Sequence, residues 1–514
     1  MLFQYMMEEL PSRRVGKDAS KEDIVEIVYN SSRAAPHTVF VCLVGANFDG
    51  HSFAQDAYGR GCRVFIAERE LNLPRDASVS IVKSSRLALA VLSAAFFGHP
   101  ERELKLVGIT GTKGKTTTAV MITDIMLSIG ENAGYIGSNG VNFAGRHYET
   151  GNTTPESHEI FRFLREMVDC GVRVAVLEVS SQALYKSRVY GLRFDIAIFT
   201  NLAPDHIGPG EHPTFEHYRD SKAELFEKYG CTSVIYNLSD PGYRHMLANC
   251  TCENRVSFGG TPDADFYADR ISISREDGVL GTTFELHALD CAISVSLSMP
   301  GRFNVANATA AIAASILLVR KYGLAPSHAN DPDFSLLAVI SSAISSIAVK
   351  GRFEVVHVLP DRHFVIDYAH NGYSLEVVLE VLREYAPKRL VCLFGSVGNR
   401  TFGRRAELGR VASRMCDACI VTSDNPNTED PMQIIEEICE AFVPNGCAPV
   451  KIPDREVAIR YAVERSLPGD IVLLAGKGHE NYQLIRGKKL PFSERELIEK
   501  YAPSARFPAP SAAE

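Results

Sequence analysis

Hydrophobic positions in this chain fall into short, nearly unbroken runs separated by polar and Gly-rich turns and by stretches of helical length. Between residues 36 and 85 the runs TVFVCLV, CRVFIAE and SVSIV alternate with Gly/Asp turns, the pattern of a small α/β unit. From Lys105 the runs strengthen: KLVGIT, VRVAVLEV, FDIAIFTNL and TSVIYNL read as strands buried on both faces, which predicts a mainly parallel sheet with helices on either side. A third series, EVVHVL, HFVIDY, RLVCLFG, ACIVTS and DIVLLAG, begins near Gly351. The reading is an α/β protein of three domains: a smaller α/β domain over 1–104, a central phosphate-loop domain over 105–350, and a Rossmann-like domain over 351–514. No repeat of fixed period interrupts this order, and the Pro/Ala-rich tail RFPAPSAAE is expected to fray.

Composition narrows the partners. With 514 residues, 46% hydrophobic and 23% charged, the chain is ordinary globular material, long enough for about three domains at roughly 100–200 residues each. The 54 Lys+Arg against 62 Asp+Glu give a net charge of −8 with no long basic run, which argues against a nucleic-acid partner. The opening MLFQYMMEELPSRR mixes acids into its apolar stretch, unlike a secretory signal. Apolar runs such as LALAVLSAAFFG (87–98) fall short of the roughly 20 residues that cross a bilayer, so no membrane segment and a cytoplasmic location are expected. Twelve cysteines are sparse and irregular. Cys416-x-x-Cys419 is half of a zinc site without a second pair at suitable spacing, so reduced, buried and inert thiols are expected.

Chemistry enters with KLVGITGTKGKTTTAVMITDIML, which reads as strand, Gly-rich turn, helix. Backbone N–H groups from Gly111, Thr112, Lys113, Gly114, Lys115 and Thr116 can face phosphate oxygens, and the helix start adds a favourable dipole. Lys115 can reach the β- and γ-phosphates, and the Thr116 hydroxyl can hold Mg²⁺. Ile109 stands where the strict consensus has its first glycine, so this is a variant loop. A merely structural strand-to-helix turn is the bland alternative, and Gly-Lys-Thr in this context disfavours it. Downstream, VRVAVLEV ends at Glu178 and FDIAIFTNLAPDHI carries Asp205 and His206 just past its strand, all at the carboxyl edge where open sheets bind ligands. Taken singly, Glu178 could be an ion-pair partner and His206 a loop histidine. Their shared edge favours a metal.

The segments GTKGKTTT, GNTTPES, LEVSSQAL, TNLAPDHI, GRFNVANATAA, GRFEVV, DYAHNGYSLE, SDNPNTEDP and AGKGHE occur in that order. Together they resemble the Mur ligases of peptidoglycan synthesis, from about Ser32 to beyond Glu480, and most closely the branch that adds the third stem-peptide residue. The resemblance implies that ATP phosphorylates the glutamate side-chain carboxylate of UDP-N-acetylmuramoyl-L-alanyl-D-glutamate, and that an amino acid then attacks the acyl phosphate. It implies two Mg²⁺ ions, one at Thr116 and the other at Glu178 and His206, and a CO₂-derived carbamate on Lys222 (N6-carboxylysine). By itself Lys222 reads as a solvated helix lysine. By the same resemblance Thr117, Asn304, Asn307, Arg352 and Asp367 join the ATP site. Ser32, Asn152, Thr153, Thr154, Ser180, Lys186 and Arg188 bind the UDP-sugar peptide, although Lys186 stands where the family often has Gln. Arg400, Asp424, Asn425, Asn427, Gly476 and Glu480 surround the incoming amino acid. Bland readings remain for FNVAN as a capped helix start, NTTP as a turn and Glu480 as a cap.

The added amino acid turns on SDNPNTEDP. Diaminopimelate-adding members resemble DNPR, whose Arg suits bidentate pairing with a distal carboxylate, and this chain has Asn427 there. The expectation is therefore L-lysine, with meso-diaminopimelate or L-ornithine behind it, added by a monomer. Rival readings are a folylpolyglutamate- or cyanophycin-type ligase and an ATPase module that makes no bond.

Overall fold

The computed structural model describes residues 1–45, 48–208, 211–274, 280–323, 332–399 and 403–505. By its contacts the chain divides into two compact units, Met1–Tyr267 with Asn307–Ile340, and Ala268–Ala306 with Ser341–Glu514.

The first unit contains a five-stranded sheet in the order Arg13–Gly16, Ser78–Ile81, Val64–Ala67, Thr38–Val41, Glu26–Val28. Only the first pair is antiparallel. The unit's larger sheet has Lys105–Thr110 at its centre, flanked in parallel by Val174–Glu178 and Phe194–Phe199. Beyond these lie Ala133–Gly137 on one side and Cys231–Asn237 and Asn254–Gly259 on the other, also parallel. Antiparallel Gly140–Phe143 and Arg146–Tyr148 finish one border. The apolar runs thus become parallel strands because both faces are covered: Leu106, Val107, Ile109, Val176, Leu177 and Ile198 have no solvent contact.

The second unit holds a six-stranded sheet in the order Glu354–Val356, His363–Asp367, Ile471–Ala475, Leu390–Phe394, Ala418–Val421, Pro449–Lys451. It is parallel except for its first pair. Alternation along Ile471–Ala475 sorts its side chains between two layers. Ile471, Leu473 and Ala475 pack with Leu375, Leu379, Leu408 and Ile434, while Val472 and Leu474 pack with Ile459, Val463 and Ile498. At about 1.5–3 kcal/mol for each large aliphatic side chain buried, these two layers hold the carboxyl ends of the strands in fixed register. Antiparallel Gly281–Ala288 and Cys291–Leu297 also belong to this unit, and Tyr385 Oη donates to Gly281 O at 2.6 Å.

Among the described residues, only the helix Arg302–Tyr322 is long and apolar enough to cross a bilayer, and 78% of its apolar window is buried inside the protein.

Candidate active site

In the first unit, three carboxyl-end loops converge. The helix Lys115–Ser128 starts directly after Gly114, which sits at φ +84. A Cβ at Gly114 would lie 2.3 Å from Asn307 Oδ1, and one at Gly111 would lie 1.9 Å from Thr200 Oγ1. Neither position admits a larger residue without displacing its neighbour, so the loop lies close against its surroundings. Asn201 Oδ1 accepts from Lys113 N at 2.9 Å, Thr200 Oγ1 donates to Lys113 O at 2.7 Å, and Lys113 Nζ pairs with Asp205 at 3.1 Å. Lys115 Nζ folds over the loop, donating to Gly111 O at 2.8 Å and Thr112 O at 3.1 Å. Thr117 is buried one turn into the helix, and Thr118 Oγ1 donates to Asn307 Oδ1 at 3.4 Å. Asn304 lies one helical turn before Asn307 and donates through Nδ2 to Pro300 O at 2.7 Å.

Glu178 ends its strand with its side chain 1% exposed. Thr116 Oγ1 donates to its Oε2 at 3.0 Å, while Tyr135 Oη and Ser138 N donate to Oε1 at 2.5 and 2.7 Å. Among the described residues these hydrogen-bond partners are all neutral, and a buried carboxylate so held is one that a cation would stabilise. A hydroxyl and a carboxylate side by side are the hard oxygen donors that Mg²⁺ takes. Sequence reasoning missed Tyr135 and Ser138, which come from the neighbouring Ala133–Gly137 strand and its turn.

The NTTP segment meets this edge. Thr153 Oγ1 lies 3.0 Å from Ser138 Oγ, and Thr154 Oγ1 donates to Glu178 O at 2.7 Å and to Ser180 Oγ at 3.3 Å. Ser180 caps the helix Ser181–Tyr185. Arg188 donates to Thr154 O at 3.0 Å and to Glu156 at 3.0 Å, and Arg86 reaches the other Glu156 oxygen at 3.1 Å. Burial and the neighbouring Arg188 and Arg86 lower the pKa of Lys186 below the usual lysine range. Asn152 is exposed. Ser32 sits apart, its hydroxyl donating to Asn30 Oδ1 at 2.9 Å.

Lys222 departs from the solvated-lysine reading: it is 1% exposed and donates to Gly111 O at 2.8 Å. Burial, then the nearby Lys115, pushes its pKa well below the usual lysine value. His206 is half exposed at φ +55, with Nδ1 3.3 Å from Glu211. Among the described residues no hydrogen bond or ion pair joins His206 to Glu178, so the structure does not bring this expected pair together.

In the second unit, the carboxyl ends of the six-stranded sheet gather another cluster. Asn425 is its hub: Oδ1 accepts from Lys477 Nζ at 3.1 Å and Leu484 N at 2.9 Å, and Nδ2 donates to Glu480 at 2.8 Å. Lys477, which the sequence reading passed over, is fully buried, 3.0 Å from Glu480 and 3.7 Å from Asp424. Two carboxylates against one ammonium leave a negative excess suited to an incoming amine. Gly476, at φ +113, donates to Asp367 O at 3.1 Å and faces Asp424 so closely that a Cβ would lie 2.6 Å from Asp424 Oδ2. Beneath them the buried Arg455 donates to Glu494 Oε1 at 2.9 and 2.7 Å, to Ser423 O at 3.1 Å and to Ala475 O at 3.0 Å. Ser423 and Ala475 are the residues just before Asp424 and Gly476. Asp367 accepts from Phe353 N at 2.9 Å and Ala369 N at 2.8 Å, and Arg352 lies over the Tyr368 ring at 4.5 Å.

Asn427 does not join that cluster. It sits at φ +53, its Oδ1 accepts from Gly487 N at 3.0 Å, its N–H donates to Leu484 O, and its O accepts from Arg486 N. Its Oδ1 is committed to the turn of the Tyr482–Ile485/Lys488–Pro491 hairpin. Arg400 lies outside the described residues.

A parallel sheet with a phosphate loop, a buried carboxylate at its edge, and a second sheet with an acidic cluster at its carboxyl ends is the arrangement of an ATP-dependent α/β ligase. Residues 109–315 match the Mur ligase middle domain, and residues 351–478 match the Mur ligase glutamate ligase domain. The chain is 37% identical over 485 residues to the UDP-N-acetylmuramoyl-L-alanyl-D-glutamate–2,6-diaminopimelate ligase of Geobacillus kaustophilus (strain HTA426), covering 92% of this chain and 94% of that one. It is 35% identical to the ligase of the same name from Clostridium botulinum (strain ATCC 19397 / Type A), covering 94% and 95%. A solved structure of a UDP-N-acetylmuramoyl-L-alanyl-D-glutamate–2,6-diaminopimelate ligase superposes with a TM-score of 0.67 at 26% identity, over 98% of this chain and 99% of that one. The chain belongs to the Mur ligase family. These relatives carry diaminopimelate in their names, so the expectation of a lysine-adding member gives way to its stated alternative.

Proposed function

We propose that the chain is an ATP-dependent amide ligase that adds meso-diaminopimelate to UDP-N-acetylmuramoyl-L-alanyl-D-glutamate, acting as a cytoplasmic monomer. The relatives' names support this amino acid. In this reading 1–104 serves the UDP-sugar with Ser32, 105–350 serves ATP, and 351–514 serves the amino acid.

The observation that carries the reading is the Glu178–Thr116 pair at the mouth of the phosphate loop, 3.0 Å apart and buried. Gly111 to Thr117 with Asn304, Asn307, Arg352 and Asp367 hold the nucleotide. Lys115 leaves the loop carbonyls to reach the β- and γ-phosphates as they enter. Thr116 would hold one Mg²⁺, and Glu178 with His206 a second; such ions would supply positive charge against the phosphate oxygens. Asn152, Thr153, Thr154, Ser180, Lys186 and Arg188 position the muramyl dipeptide so that its glutamate carboxylate oxygen attacks the γ-phosphorus and ADP leaves. Lys222, a buried amine of lowered basicity, would more readily give up its proton and add CO₂, and the resulting carbamate would support the metal site. Asp424 and Glu480 receive the amino acid's ammonium, and Lys477 and Asn425 hold those carboxylates in place. The free amine attacks the acyl carbonyl, the tetrahedral intermediate expels phosphate, and the nitrogen gives up its proton. Orientation and charge placement supply most of the acceleration.

The test is phosphate release with UDP-N-acetylmuramoyl-L-alanyl-D-glutamate and ATP, comparing meso-diaminopimelate, L-lysine and L-ornithine. Turnover with diaminopimelate at least about tenfold above the other two is expected, a preference of at least 1.4 kcal/mol. Release independent of any amino acid would remove the ligase reading, and a preference for lysine would remove the amino-acid assignment alone.

A further inference from the structure

The Cys416-x-x-Cys419 pair lacks a partner pair in sequence, but the fold supplies two more thiols. Cys392 comes from the adjacent Leu390–Phe394 strand and Cys447 from the turn before Pro449–Lys451. Cys416 is electrostatically linked to Cys392 and to Cys419, and the Cys419 and Cys447 sulfurs lie 3.2 Å apart. The thiols form a row. Among the described residues, the group of side chains close enough to share one ion is Asp269, Glu285 and His287, outside this row.

Solvent reaches the row at one end. Cys392 and Cys419 have no solvent contact and Cys416 almost none, whereas Cys447 is half buried between the exposed Gly446 and Ala448. Its thiol is held below the usual thiol range, chiefly by its hydrogen bond with Cys419. Cys439, also half buried, has its pKa pushed up to about 11 by burial. An attacking thiol at the surface with a second thiol already against it is the arrangement that redox-sensitive proteins use.

We propose that Cys447 and Cys419 form an oxidant-sensitive pair, with Cys447 the thiol that attacks hydrogen peroxide and Cys419 the resolving thiol. With hydrogen peroxide, the Cys447 thiolate attacks one peroxide oxygen, the O–O bond breaks, and the departing hydroxide takes up the proton released by the thiol and leaves as water, with a Cys447 sulfenic acid remaining. The Cys419 sulfur then attacks the Cys447 sulfur, the S–O bond breaks, and the Cys419 proton departs with the hydroxide as a second water. Two thiols are oxidised, one peroxide is reduced, and a thiol reductant reverses the cross-link. The bond ties the strand that runs toward Asp424 to the turn at residues 443–448.

The full-length protein, reduced and freed of reductant, is exposed to hydrogen peroxide in small molar excess, then alkylated and digested. Mass spectrometry is expected to find a peptide joining Cys419 to Cys447, two hydrogens lighter than the reduced pair and lost after dithiothreitol. Cys439→Ser should leave the linked peptide at its parental yield, and Cys447→Ser should abolish it while Cys419 stays alkylatable only after denaturation. The inference is overturned if oxidised parent protein carries no such peptide, or if Cys439 oxidises as fast as Cys447.

Discussion

Arg455 is the side chain whose loss should be most informative. It is fully buried, its Glu494 partner is 1% exposed, and it also holds the carbonyls of Ser423 and Ala475. Arg455→Leu leaves Glu494 without its countercharge, and breaking one side of such a pair typically costs about 3–5 kcal/mol. Protonation of Glu494, whose pKa burial already raises, softens that cost toward the lower end. For a folding unit of this size about 2–4 °C is lost per kcal/mol, so the second unit should melt roughly 6–20 °C lower. The same change frees the residues preceding Asp424 and Gly476, so the KM for the amino acid should rise while the KM for ATP stays near its parental value. Replacing both partners, Arg455→Leu with Glu494→Leu, removes the unpaired charge and should recover part of the lost stability, but not the amino-acid KM. Calorimetry and initial-rate kinetics on the three proteins decide it. If Arg455→Leu melts with its parent, or if the double variant melts lower than the single, the pair is not the clamp described.

Four further outcomes follow. Lys115→Ala should abolish phosphate release with an unchanged circular dichroism spectrum, and retained turnover would contradict the phosphate-loop assignment. Tyr135→Phe removes one of four hydrogen bonds to the Glu178 carboxylate, so titrating phosphate release against Mg²⁺ should give a half-saturation about tenfold higher, as for other groups that orient a metal ligand. Asn427→Ala loses the bond to Gly487 and strains a positive φ, costing about 1–3 kcal/mol in denaturant unfolding without changing amino-acid preference; a changed preference would restore that side chain as a selector. His158 is buried, and desolvation lowers its pKa from 6.5 to about 4. The unfolded chain therefore binds the extra proton first, and stability falls as pH drops from about 6.5 toward 4 by about 3 kcal/mol in total. His158→Phe should flatten that acid limb in urea melts at successive pH values, and an unchanged slope would show that His158 is not its source.

Much of the architecture was readable because parallel strands covered on both faces appear as continuous apolar runs. KLVGIT, VRVAVLEV and DIVLLAG contain the strands Lys105–Thr110, Val174–Glu178 and Ile471–Ala475. Gly281–Ala288 and Cys291–Leu297 escaped because they alternate buried with solvent-touching residues, and a search for unbroken runs passes over that pattern. At the candidate site, GTKGKT and Glu178 announced themselves by residue type and place. Tyr135, Lys477 and Arg455 did not, since each acts across strands far apart in sequence, and a buried lysine or arginine looks in sequence like any surface cation. Asn427 misled for a related reason: its residue type was legible, but its backbone angle and hairpin partner were not.

The borders of the sheets bear on how the protein behaves when concentrated. One border strand of the six-stranded sheet runs from Pro449 to Lys451, one of the large sheet presents the exposed Arg146 and His147, and one of the five-stranded sheet begins with the exposed Arg13-Arg14. A missing N–H and like charges both discourage a second molecule from docking strand against strand. Such rims keep an enzyme dispersed in a crowded fluid, and stripping one of them to plain valines would be a direct route to fibrils.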